Sequence, residues 1–157
     1  MQNTFSIWVD ADSCPTEVRN IIIRFAKRLE IQTTFVANRD ISIPQNPIFK
    51  MIVTEATQDA ADNYIVSNAN SNDLVITRDI PLADRLVERN IVTINDRGLV
   101  FTRENIKEKL SIRNFNFNLY TNGIISEKTG RFGKKELNDF SNCFDREIQK
   151  KLRNILR

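Results

Sequence analysis

The sequence predicts an α/β fold, a three-layer sandwich around a central, mainly parallel sheet of four or five strands. Three observations predict it. Short apolar, β-rich runs alternate with stretches of helical apolar spacing through the first two-thirds of the 157 residues. The run that opens at Leu74 (Leu-Val-Ile) is continuously apolar, as a strand covered on both faces must be. Hydrophobic residues make up 41% and phenylalanine contributes ten, enough for a core, while 27% charge fits an ordered surface rather than a disordered chain.

Each element follows from its pattern. Phe5–Val9 reads as the first strand. Pro15–Leu29 reads as a helix because Val18, Ile21, Ile22, Phe25, Ala26 and Leu29 recur at helical spacing. Ile31–Val36 is the second strand. Pro44 and Pro47 bar a helix interior from 38–47, which reads as loop. Phe49–Thr54 is the third strand, and Asp59–Ala69 a helix with Asp62, Ile65, Val66 and Ala69 on one face. Leu74–Thr77 is the fourth strand, Ile80–Arg89 a helix through Leu82, Ala83, Leu86 and Val87, and Ile91–Ile94 a short fifth strand. Alternation of this kind implies right-handed crossovers.

The last third differs. Thr102 suits the N-cap of a helix through Ile106 and Leu110. Phe115, Phe117 and Leu119 alternate with asparagine in a strand-like way, yet a helix is the reading adopted. Residues 122–133 form a polar linker. Leu137, Phe140, Phe144, Ile148, Leu152 and Ile155 make the stripe of a long amphipathic helix. That helix is expected to dock on the core or on a partner subunit, giving a homo-oligomer. The chain reads as one domain, with an α/β core over 1–101 and a helical C-terminal extension over 102–157.

Composition excludes several chemistries. The chain has no histidine, which removes His-ligated zinc, His-based triads and His general bases. Its 23 basic and 20 acidic residues leave a net charge of +3, which permits a nucleic-acid partner without demanding one. Cys14 and Cys143 lie far apart and make no disulfide framework, so a cytoplasmic setting is expected. The start of the chain lacks a basic segment and does not read as a signal peptide. No apolar run reaches membrane-spanning length, and no membrane partner is expected.

Parallel sheets present their functional groups beyond the carboxyl ends of the strands. The first strand exits into Asp10-Ala11-Asp12, the fourth into Thr77-Arg78-Asp79, and the fifth into Asn95-Asp96-Arg97-Gly98. Asp62 joins them from the start of a helix's apolar face. Gathered carboxylates repel one another, and a hard divalent cation resolves the conflict. Mg²⁺ or Mn²⁺ takes oxygen ligands, keeps several waters and shares the oxygens of a phosphate substrate. Plainer roles compete. Asp79 suits the N-cap of the helix that contains Pro81, and Asp73 and Asp96 suit turns. Asp59 suits a first helical turn, where an acid complements the helix dipole. Asp10 and Asp62 are harder to explain structurally, because a buried acid is costly without a partner. Arg39, Arg78 and Arg97 near the strand exits are candidate phosphate-binding residues.

These segments carry a family resemblance. Trp8-Val9-Asp10-Ala11-Asp12-Ser13-Cys14-Pro15, Val36-Ala37-Asn38, Ala61-Asp62-Asn63-Tyr64-Ile65-Val66 and Asp73 through Ala83 closely resemble the YaiI/YqxD family of uncharacterised bacterial proteins. Arg97-Gly98, Thr102 through Ile106 and Phe144-Asp145-Arg146 extend the likeness over nearly the whole chain. The resemblance implies a PIN-like domain, a class with metal-dependent ribonucleases among its members. It implies that Asp10, Asp62 and Asp79 match the acidic metal-holding positions, with Asp12 as an added acid for a second ion or the attacking water. RNA is then the expected partner and Mg²⁺ or Mn²⁺ the expected cofactor. The stretch Glu55-Ala56-Thr57-Gln58-Asp59 lacks a glycine usual in the family, and Asp96 stands where a proline is usual.

Three rivals remain. Asp10-Ala11-Asp12 after a strand fits the opening of a haloacid-dehalogenase-like phosphotransferase, with Asp10 as nucleophile and Thr77 as its second motif. A convincing later acidic pair is missing. Cys14 beside Pro15 at a helix start raises thiol chemistry, but Asn20 stands where a phosphatase loop needs arginine. A non-catalytic RNA- or protein-binding module of PIN-like shape is the third.

Overall fold

A computed structural model describes residues 5–57, 59–121 and 132–155. Its six-stranded sheet runs β3-β2-β1-β4-β5-β6. β1 (Ile7–Asp10), β2 (Thr33–Ala37), β3 (Phe49–Val53), β4 (Leu74–Ile76) and β5 (Val92–Ile94) are mutually parallel. The predicted mainly parallel α/β sheet is therefore present, but β1 ends on Asp10 itself rather than on Val9. A sixth strand, β6 (Val100–Phe101), pairs antiparallel with β5 and was not anticipated. The turn between them needs Gly98. Its φ is 85°, and a Cβ there would overlap the Asp139 backbone carbonyl.

Alternation of side chains along the strands feeds two cores. Ile7, Val9, Phe35, Leu74, Ile76 and Ile94 face one side, where they meet Val18 and Ile22 of α1 (Thr16–Leu29). Phe140, Phe144 and Ile148 of α5 (Lys134–Ile155) join the same cluster, so the amphipathic stripe of the last helix docks on the core. Phe144 meets Phe25 edge-on at 5.3 Å and stacks on Phe140 at 5.4 Å. On the opposite face Val36 and Val75 pack against Ile65 of α2 (Ala60–Asn68) and Leu82 and Leu86 of α3 (Ile80–Glu88). Two helical layers thus enclose the sheet.

α4 (Arg103–Thr121) settles the helix-or-strand ambiguity of its phenylalanines in favour of helix. Thr102 caps it as expected, accepting from Asn105 N at 3.1 Å. Its first turns are anchored through Ile106 against Ala83, Val87 and Phe101. The polar linker expected over 122–133 lies outside the described residues except for Phe132 and Gly133. Among the described residues no helix is long and apolar enough to cross a membrane.

Candidate active site

Strand order reverses between β1 and β4. The chain leaves β1 for a helix on one face and β4 for a helix on the other, and a crevice opens between the two exits. A cleft of about 550 Å³ lies there, lined by Asp10, Asp12, Ser13, Asn38, Asp59, Asp62, Asp79 and Arg113 among others. The four expected acids, Asp10, Asp12, Asp62 and Asp79, are brought to one place.

Each is held differently. Asp10 is only 5% exposed. Thr77 Oγ1 donates to its Oδ2 at 2.7 Å and Ser13 Oγ at 3.1 Å. Burial pushes the Asp10 pKa above its ordinary value; the Thr77 and Ser13 bonds oppose that shift, and the nearby Asp79 and Asp12 charges add to it. Thr77 Oγ1 also accepts from Asp79 N at 3.0 Å, so one hydroxyl ties the ends of β1 and β4 together. Asp12 lies in a single 3₁₀ turn, Ala11–Ser13, and its Oδ2 accepts from Asn38 N at 2.9 Å, beyond the end of β2.

Asp79 performs the capping role foreseen for it, accepting from Leu82 N at 3.0 Å with Pro81 in the first turn of α3. It lines the cleft at the same time, so the structural and site readings coexist. Asp62, in the first turn of α2, is half-buried, and its pKa is pushed up to about 7. Burial is the largest cause, followed by the charges of Asp79, Asp10 and Asp59. Arg85 opposes them only weakly, its guanidinium donating to Asn63 Oδ1 at 2.9 Å. Asp59 precedes α2 with φ 69°, a left-handed conformation that aspartate tolerates better than most residues, in a stretch without glycine.

The three candidate arginines part company. Arg39 stays at the cleft rim, with Nε 3.9 Å from Asp12 Oδ1. Arg78 Nη2 is 3.7 Å from Asp96 Oδ2 instead. Asp96 is 3% exposed, and this oxygen accepts no hydrogen bond from the described residues. Asn95, not Asp96, shapes the turn, its Oδ1 accepting from Arg97 N and Leu99 N at 2.9 Å each. Arg97 faces Glu136 at 3.8 Å and covers the Phe132 ring. Asp73 is structural, as its place before β4 suggested: it accepts from Ser6 N, Trp8 Nε1 and Asn70 N within 2.9 Å. Burial pushes the Cys14 thiol up to about 12, so it stays protonated and offers no thiolate chemistry.

Sequence reasoning missed Arg113, Ser13 and Asn38, and used Thr77 only for a rival mechanism. Thr77 carried a readable signal, a hydroxyl two residues before an aspartate at a strand exit. Arg113 carried none, because only packing of α4 brings it to the cleft. Among the described residues no three acidic or thiol groups converge tightly enough to make a ready metal cage.

A family model for the uncharacterised YaiI/YqxD family matches residues 8–150. A UPF0178 protein of Treponema denticola is 50% identical over 147 residues, 94% of each chain. Another from Treponema pallidum is 47% identical over 94% of this chain and 84% of its own. A third, from Syntrophobacter fumaroxidans, is 44% identical over 94% of this chain and 96% of its own. No solved structure matches the chain. With the family model spanning most of its length and such relatives matching nearly end to end, the chain belongs to the YaiI/YqxD family.

Proposed function

We propose that the cleft is the active site of a cytoplasmic, divalent-metal-dependent phosphodiesterase that acts on RNA. One observation carries the reading: Asp10, Asp62 and Asp79 share a cleft in which the Asp79 charge opposes ionisation of Asp10 and Asp62, and the Asp10 charge opposes that of Asp62. A protein does not gather such charges for stability. The PIN-like resemblance of the same residues supports it.

The donor set fits a hydrated Mg²⁺ or Mn²⁺. All donors are hard oxygens, and Mg²⁺ is commonly held by one or two carboxylates, with water and substrate phosphate completing its shell. The lack of a closed cage among the described residues is compatible with that habit. Asp10, Asp62 and Asp79 would hold the ion, which when bound supplies charge for the phosphate and acidity for water. The chain's own groups do the positioning. Thr77 and Ser13 fix the Asp10 carboxylate, and the α3 cap fixes Asp79. Asp12, held by Asn38 N, would accept a proton from the attacking water. Breaking the phosphodiester P–O bond then yields a phosphomonoester end and a free hydroxyl.

A second reading draws on the 2.7 Å Thr77–Asp10 bond. Asp10 would attack a phosphomonoester, take its phosphoryl group with release of the alcohol, and be freed by water. One assay separates the readings: labelled single-stranded RNA and a generic phosphomonoester, each with Mn²⁺ and with chelator. RNA cleavage that needs Mn²⁺ and is lost in Asp10→Asn is the expected result. Monoester turnover without RNA cleavage favours phosphotransfer. RNA retention without turnover, unchanged in Asp62→Asn, favours a binding module.

A further inference from the structure

α4 runs antiparallel along α3. As the chain advances through α4, its contacts step backwards along α3. Arg103 Nη2 donates to Asn90 Oδ1 at 2.7 Å, just past the end of α3. Ile106 packs against Val87 and Ala83, and Lys107 Nζ lies 3.0 Å from Asp84 Oδ1. At a helical rise of about 1.5 Å per residue, Arg113 is about 9 Å beyond Lys107 and Asp79 about 7.5 Å before Asp84. Position 113 therefore comes level with Asp79, the N-cap of α3. That register carries Arg113 to the aspartate cleft.

Arg113 is the one basic residue among the described residues that line the cleft. The arginines near the strand exits are turned elsewhere: Arg78 toward Asp96, Arg97 toward Glu136, and Arg39 toward Asp12 on the rim. Among the described residues the Arg113 guanidinium hydrogen-bonds Asn114 Oδ1 at 3.3 Å and ion-pairs with none of the cleft's carboxylates. A cation that faces carboxylates across about 550 Å³ without closing on them leaves room for an anion between. The rest of the lining is carboxylate, hydroxyl and amide with Ala61 and Pro81, and no aromatic ring among the described residues. The walls thus offer charge for a phosphate and no ring on which a base would stack.

We infer that Arg113 is the phosphate clamp of the cleft, its guanidinium taking the non-bridging oxygens of a backbone phosphate while the base stays outside and goes unread. The inference rests on the nuclease reading and deepens it, naming the sugar–phosphate backbone, whatever its bases, as the feature recognised. A guanidinium fork matches two phosphate oxygens at once. A net charge of only +3 and an acidic cleft give little general attraction for phosphate, so a local cation opposite the carboxylates matters.

The test is binding of fluorescein-labelled 15-nucleotide oligo(U) and oligo(C) RNA, by anisotropy, in Ca²⁺, which also takes oxygen ligands, and again in chelator. In the buffer that supports binding, Arg113→Gln is expected to weaken it about tenfold, the loss of a charge-assisted contact. The slope of log affinity against log salt is expected to flatten by about 0.7, one phosphate contact on a single strand. Arg113→Lys is expected to keep the slope and lose part of the affinity, since an ammonium keeps the charge without the fork. Arg24→Gln, the same loss of charge at an exposed position of α1 across the sheet, is expected to change neither, and the two RNAs to bind alike. Failure of the wild type to bind in either buffer, an unchanged slope in Arg113→Gln, or an equal loss in Arg24→Gln would overturn the clamp. So would a preference of about tenfold for one RNA, the size expected of a stacked base. The same RNAs in Mn²⁺ separate this inference from its premise. Binding as expected with intact RNA keeps the clamp and rejects the nuclease, while cleavage with Arg113→Gln binding normally rejects the clamp alone.

Discussion

Replacing Asp62 by asparagine removes one charge from the crowded cleft while keeping the side chain's size. Its pKa stands at about 7 against an ordinary 3.8. A shift of about three units at about 1.36 kcal/mol each is about 4 kcal/mol. Asp62 is half-exposed, so solvent screening reduces this to about 2 kcal/mol. In the metal-free protein the native state holds a proton between pH 3.8 and about 7 that the unfolded chain releases. Wild-type stability must therefore fall as pH rises through that window and level off above it, with Asp10, also raised, adding to the slope. Asp62→Asn lacks this penalty. Thermal melts in chelator at pH 8 are expected to place the variant about 4–8 °C above the wild type, and melts near pH 4 to bring the two together. A variant less stable than the wild type at pH 8 would show that Asp62 makes a favourable contact, and the argument from carboxylate repulsion would fail.

The remaining predictions contrast structure with site. Asp73→Ala strips three donors of their acceptor and is expected to cost about 3 kcal/mol or more in urea unfolding, with no gain at high pH. Asp79→Asn keeps an acceptor for Leu82 N and is expected to hold α3 intact, whereas Asp79→Ala loses the cap and about 1 kcal/mol of whatever relief the lost charge brings; the two melts should differ by that amount. Gly98→Ala meets both a left-handed backbone and the Asp139 carbonyl of α5, so a loss of about 2 kcal/mol or more is expected by denaturant titration.

Much of the fold is legible in the sequence. The central strands are short apolar runs covered on both faces, and helices such as α1 carry their periodicity in full, so type and order followed from pattern. β6 escaped because Val100 and Phe101 are too few to show a period, and its pairing depends on the Gly98 turn. The strand-exit rule found Asp10 and Asp79, and the cost of burying an acid found Asp62. The same rule pointed as well to Arg78 and Arg97, which the structure turns toward Asp96 and Glu136. Where a side chain at a strand exit goes depends on which neighbour lies across the edge, and that is tertiary information. Arg113 sits on a helix whose exposed half carries no buried stripe, so no pattern tied it to the cleft.

The central proposal is that Asp10, Asp62 and Asp79 bind a divalent cation. The most direct measurement is the melting temperature of the wild type at pH 7.5 as Mn²⁺ is titrated, beside Asp10→Asn and Asp62→Asn. A site that binds only the folded state gains about 2.7 kcal/mol at 100 times its dissociation constant, which for a chain of this size is about 5–11 °C. The wild type is predicted to rise by that amount and to overtake both variants, which should respond far less. A flat wild-type response, or an equal rise in all three proteins, would contradict the account.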